Sequence, residues 1–170
     1  MKWLWIILGT LAALVALVAI IGAMLPVKHV ATKRARFNQP PEALWAAIDG
    51  SQDWRPGFGK YEVLPERNGH KVWREDLGQG EPVMFERIVA DPPQRLETKI
   101  ISTGIPFGGT WVYELTPTPA GTDLRITENG EVYNVIFRFV SRFIMGHTSA
   151  IETMLRALGK KFGEQITIEH

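Results

Sequence analysis

Thr110-Trp111-Val112-Tyr113-Glu114-Leu115-Thr116-Pro117-Thr118-Pro119-Ala120-Gly121-Thr122-Asp123-Leu124-Arg125-Ile126-Thr127-Glu128 reads as two strands and the turn that joins them. Trp111, Tyr113 and Leu115 fall on one face of the first strand, and Leu124 and Ile126 share a face of the second, the period-2 pattern of a sheet with one buried and one wet side. Two prolines and a glycine within Pro117–Gly121 cannot continue a ladder and so place the reversal there. Neighbours in sequence with this pattern pair antiparallel.

The same grammar extends upstream. Strands are predicted at Tyr61–Glu66, Lys71–Asp76, Val83–Ala90 and Leu96–Ser102, bounded by Asn68-Gly69, Gly78-Gln79-Gly80, Asp91-Pro92-Pro93 and Pro106-Phe107-Gly108-Gly109. Leu96, Thr98 and Ile100 face one way while Arg95, Glu97 and Lys99 face water. Before this six-stranded meander, Val30–Phe37 forms a first strand. Asn38 and the Pro40-Pro41 pair open a short helix over Pro41–Ile48, and Gln52–Gly59 is a second short helical or irregular piece. Downstream, apolar residues at Ile136, Val140, Phe143, Ile144, Ile151, Met154, Leu155, Leu158 and Phe162 recur near the helical period, which predicts one long helix from about Val135 to Gly163. The fold class is therefore α+β: a curved antiparallel sheet of about seven strands around a long C-terminal helix.

From Trp3 to Val27 there is no Asp, Glu, Lys or Arg. Trp3–Leu25 as a helix reaches about 34 Å, enough for a hydrocarbon layer of about 30 Å, with Trp3 and Trp5 at one end and Pro26 and Lys28 at the other. We read residues 1–27 as a transmembrane anchor and residues 28–170 as one domain, a single-pass protein of the cell membrane. A cleaved signal peptide is the competing reading, because Lys2 and Gly22-Ala23 suit one. Lys28, Lys33, Arg34 and Arg36 lean toward a cytoplasmic domain, whereas the short Met-Lys start suits a signal anchor, so the side stays open. The net charge of +1 gives no basic face for nucleic acid, and with no cysteine there is no disulfide, thiol nucleophile or cysteine-based metal site.

The order strand, two short helices, six strands, long helix resembles the START/Bet v 1 (SRPBCC) superfamily, in its polyketide cyclase/dehydrase and lipid-transport branch. The resemblance is carried by Asn38-Gln39-Pro40-Pro41-Glu42-Ala43-Leu44-Trp45, by Asp53-Trp54, by Asp91-Pro92-Pro93-Gln94-Arg95-Leu96, and by Phe137-Arg138-Phe139 with Leu155 and Leu158. It covers about Val30 to Gly163. It implies the helix-grip fold and a cavity between helix and sheet used for sterols, lipids, quinones and polyketides, by members that catalyse and by many that only bind.

Aromatic and sulfur-bearing residues from which such a cavity can be lined are Trp54, Phe58, Trp73, Trp111, Tyr113, Phe139 and Met145, although most such residues merely fill a core. His147 lies one turn from both Phe143 and Ile151, where it serves as acid, base or carbonyl anchor, or as a satisfied core histidine. Glu128 follows Ile126 by two and so points inward, able to pair with Arg74 or Arg87; the alternative is a solvated carboxylate beside a bulge at Asn129-Gly130. His29, His70 and His170 share no spacing, so no metal site is expected, nor any cofactor. Three functions follow: a membrane-tethered carrier of a hydrophobic small molecule, a cyclase/dehydratase using His147 or Glu128, or an interaction module with a filled core.

Overall fold

A computed structural model describes residues 2–76 and 81–169. The elements run α1 (Lys2–Met24), β1 (Lys28–Phe37), α2 (Pro41–Asp49), β2 (Tyr61–Arg67), β3 (His70–Glu75), β4 (Val83–Asp91), β5 (Arg95–Ile100), β6 (Phe107–Thr118), β7 (Gly121–Val132), α3 (Val135–Val140), a π-helical turn (Ser141–Met145), α4 (Ser149–Lys161) and β8 (Ile168–Glu169). The turn expected at Gly78-Gln79-Gly80 lies outside the described residues. One antiparallel sheet takes the order β2-β3-β4-β5-β6-β7-β1-β8, the helix-grip arrangement.

Each strand of the central hairpin is twelve residues long, with Trp111 opposite Glu128, Tyr113 opposite Ile126 and Leu115 opposite Leu124. These inward residues meet Ala31, Ala35 and Phe37 of β1, Leu44 and Ile48 of α2, and Ile151, Leu155 and Leu158 of α4 in a single core. Phe37, Leu44, Leu124, Ile126, Ile151, Leu155 and Leu158 are fully buried. Gln52–Gly59 is a chain of turns rather than a helix. It is tied to α2 by Gln52 Nε2 donating to the Ile48 carbonyl at 2.6 Å and Trp54 Nε1 donating to that of Ala47 at 3.2 Å.

The structure departs from the sequence reading in two places. The sheet has eight strands, because Ile168 and Glu169 add an edge beside Ala35 and Arg34 of β1; two residues are too short a run for a periodic signal. The expected single helix over Val135–Gly163 is interrupted. After α3 the chain makes a π-helical turn, and Gly146 then takes φ 78, a conformation that no helix continues and that glycine adopts without strain. Ser149 Oγ donating to the Gly146 carbonyl at 3.0 Å closes the break. Apolar periodicity persists across it, which is why the interruption is invisible in the pattern.

α1 carries its large side chains in the open: Trp3 is 78% exposed and Trp5 72%. It is therefore no core helix of this domain. Only its last turn is docked. Gly22 is buried against α3 so closely that a Cβ there would strike the Val135 carbonyl, and Arg138 Nη1 donates to the carbonyls of Gly22 at 3.2 Å and Leu25 at 3.0 Å.

Candidate functional site

The core fills only part of the space between sheet and helices. The rest is a cavity of about 520 Å³, well inside the range of small-molecule sites. Its floor is the inward face of β3 to β7, its wall the run from Phe137 to Met154, and its rim the Pro56-Gly57-Phe58 turn. Gly109 and Gly130 stand opposite one another in the β6–β7 ladder, and because Gly130 has no Cβ the His29 imidazole lies directly over its backbone.

Of the sequence candidates, Phe58, Trp73, Trp111, Tyr113, Met145 and His147 line this cavity, as does Glu128. Three others lie elsewhere. Trp54 packs against the core beneath α2. Arg74 points off the opposite face of β3 and pairs with Glu62 at 2.5 Å. Phe139 is turned away from the cavity and packs on Phe143 with ring centroids 4.9 Å apart. Arg87, the other proposed partner of Glu128, instead forks onto both carboxylate oxygens of Asp49 at 3.0 and 2.8 Å.

Two polar clusters interrupt the apolar lining. In the first, the rings of His29 and His147 stack at 4.0 Å between centroids, inclined by 23°, and His29 Nε2 lies 3.8 Å from Glu128 Oε1. Burial pushes the Glu128 carboxyl up to about 7. It also holds both imidazoles below their ordinary value, helped at His29 by His147 and at His147 by Arg142. Burial thus favours the uncharged form of all three groups, which weakens any ion pairing between His29 and Glu128. His147 reaches the cavity from the helix interruption, not from a helical stripe. Its Nδ1 is buried without a hydrogen-bond partner among the described residues.

In the second cluster, Glu75, only 2% exposed, accepts from Trp73 Nε1 at 2.7 Å and from the Arg55 guanidinium. Arg55 also lies over the Phe58 ring at 5.6 Å, which fixes the rim turn to the floor. Arg55 Nε and Gln52 Oε1 are buried and unpartnered among the described residues. The hydroxyl of Tyr113 feels both clusters: burial raises its pKa, Arg55 opposes this, and Glu75 and Glu128 add to it.

Sequence reasoning missed His29, Arg55 and Glu75. The parity of β1 could have found His29, since 29, 31, 35 and 37 share a face with Phe37. Lys33 on that same face hid the alternation: it is buried and ion-paired to Glu152 at 3.5 Å. Arg55 and Glu75 are twenty positions apart and meet only through the fold.

Likeness to solved structures agrees with this fold. The chain resembles a conserved protein from Geobacillus kaustophilus at 18% identity and TM-score 0.64, over 82% of this chain and 99% of that one. It resembles norcoclaurine synthase from Thalictrum flavum at 16% identity and TM-score 0.59, over 86% and 92%. It also resembles the di-domain ARO/CYC StfQ from the steffimycin biosynthetic pathway at 13% identity and TM-score 0.57, over 81% of this chain and 52% of that one. The last two carry the helix-grip fold in its Bet v 1/SRPBCC form, and at such identities the likeness is one of fold alone. No family model matches the sequence, and no curated protein matches it significantly.

Proposed function

We propose that this chain is a membrane-tethered binding protein for a hydrophobic small molecule, held in the cavity between the sheet and the interrupted C-terminal helix. The observation that carries the reading is the cavity itself: about 520 Å³, floored by Trp73, Trp111 and Tyr113 beside Phe85 and Ile100, with the Glu128 and Glu75 clusters in its lining. Burying about 300 Å² of apolar ligand surface is worth about 7 kcal/mol, of which association removes a large part. The remainder suits reversible loading. Burial that favours a protonated Glu128 suits a ligand whose apolar body ends in a carbonyl or hydroxyl, since a neutral polar tip pairs with the carboxyl without a buried charge.

The tether reading rests on α1, a helix of 23 residues whose most apolar 18-residue stretch has mean hydropathy 2.8 and is not buried within the domain. The bonds from Arg138 to the last turn of α1 favour a retained helix over a cleaved signal.

Mass spectrometry of the full chain in mild detergent, under conditions that keep and then release small molecules, tests the binding reading. Two variants, Ser141→Phe and Thr98→Phe, fill the cavity from opposite walls. A stoichiometric lipid, quinone or polyketide that is lost from both folded variants supports it. Nothing bound in wild type, even after extract is added back, rejects it in favour of an interaction module.

The Glu128–His29–His147 arrangement favours a second reading, a proton-transfer enzyme of the cyclase/dehydratase kind. Glu128 protonates a ligand hydroxyl, which leaves as water, while an imidazole takes a proton from the carbon next to the one that bore it; the C–O and C–H bonds break, a C=C bond forms, and transfer of the imidazolium proton to the Glu128 carboxylate restores both groups. On this reading Glu128→Gln keeps the ligand and abolishes its conversion, read by the mass of the released molecule.

A further inference from the structure

We infer that the outer face of Val135–Met145 lies in the bilayer interface and sets the mouth of the cavity against lipid; this rests on the reading of α1 as a membrane span. Four large apolar side chains on this short segment are open to solvent: Ile136 at 42%, Phe143 at 59%, Ile144 at 71% and Met145 at 53%. Exposed apolar side chains concentrated on one ten-residue stretch are of the kind that marks an interaction site.

The occupant follows from what the segment is attached to. Val135 sits against Gly22 and Arg138 holds the carbonyls of Gly22 and Leu25, so α3 begins at the level where α1 leaves the hydrocarbon. The exit is fixed further by Val132 N donating to the Val27 carbonyl at 2.9 Å. Ile144 is nine residues beyond Val135, within about 14 Å along a helical path, and so stays near that boundary. Arg142 is exposed within the segment and Lys28 just beyond α1, where long cationic side chains reach lipid phosphates while apolar neighbours sink below them.

The segment has two faces. Phe137, Ser141 and Met145, spaced by four, line the cavity, while Ile136, Phe143 and Ile144 face outward. Met145 belongs to both, being a cavity wall and half exposed. A ligand passing beside it moves between acyl chains and cavity without crossing bulk water. Gly146, at φ 78, separates the segment from α4.

The chain has no cysteine, so single cysteines report position cleanly. Ile144→Cys, Leu11→Cys in α1 and Val63→Cys on the edge strand β2 are each labelled with an environment-sensitive nitrobenzoxadiazole. The full chain is placed in phosphatidylcholine and phosphatidylglycerol vesicles, with circular dichroism confirming the fold. The expected result is quenching at 144 by lipids with a nitroxide near the headgroup, with iodide quenching several-fold weaker than at 63. If 144 behaves like 63 while 11 is quenched by deep nitroxide lipids, the inference is overturned and the span stands. If 11 is not quenched by any nitroxide lipid, the span fails and the inference with it.

Discussion

At the scale of single residues, Glu128 is the group whose chemistry the fold changes most. Its carboxyl titrates near 7 instead of 4.5, so between those values the folded chain keeps a proton that the unfolded chain has released. Folding stability therefore falls as pH rises through that window. The imidazoles facing it from β1 and from the helix interruption act oppositely. Their lowered values mean that acidification below 6.5 protonates the unfolded chain first, and stability is lost as pH falls. Glu128→Gln should remove the first slope and leave the second. The variant should exceed wild type by up to about 3 kcal/mol at about pH 8 and match it at about pH 4, as read by chemical denaturation at each pH. Binding follows the same titration: affinity for a neutral carbonyl-tipped ligand should weaken as pH rises through about 7 in wild type and stay flat in Glu128→Gln, which isothermal titration resolves.

At the scale of elements, the informative part is the C-terminal run. Asn134 accepts from the backbone N–H of Ile136 at 3.0 Å and Phe137 at 2.9 Å, and so caps a helix of six residues that is too short to persist by itself. Asn134→Ala should cost about 1 kcal/mol and raise amide exchange across α3 about fivefold while leaving α4 unchanged. Gly146→Ala puts a Cβ on a left-handed residue and should cost about 1 kcal/mol in thermal unfolding, although nothing lies within 4 Å of that position. A cost well above this would mean that the break is held by more than its local geometry. The strands of the meander were legible because alternation is a local property that each strand must satisfy to bury one face. The break at Gly146 was not, because the apolar residues before it are largely exposed and those after it are buried in the core, at the same nominal period.

At the scale of the whole molecule, α4 wedges one half of the concave sheet and leaves the other half hollow. Leu155 and Leu158, fully buried in α4, hold that wedge. Leu155→Ala should destabilise the domain by about 3 kcal/mol, measured by denaturant midpoint. The docking of α1 onto α3 gives a further expectation: the chain extracted from membranes should retain residues before Pro26, as its intact mass would report, and alkaline carbonate should not release it. A mass beginning after Ala23 would establish a cleaved signal instead.

The amino-acid order alone determined the antiparallel meander with most of its turns, the apolar N-terminal helix, the helical composition of the C-terminus and the shared inward face of Trp111 and Tyr113, while it left Glu128 open between an inward and a solvated position. Each of these follows from periodicity and turn chemistry acting over a few residues. Only the tertiary structure decided which aromatics surround empty space and which fill the core: Trp54 and Phe139 turned elsewhere, while Phe58, Trp73 and Met145 faced the cavity. It alone stacked His29 on His147 beside Glu128, and joined Arg55 to Glu75. The first meeting depends on strand register and on the absence of a side chain at Gly130, the second on the turn that carries Arg55 over β3, and a cavity is defined by what several distant segments fail to fill.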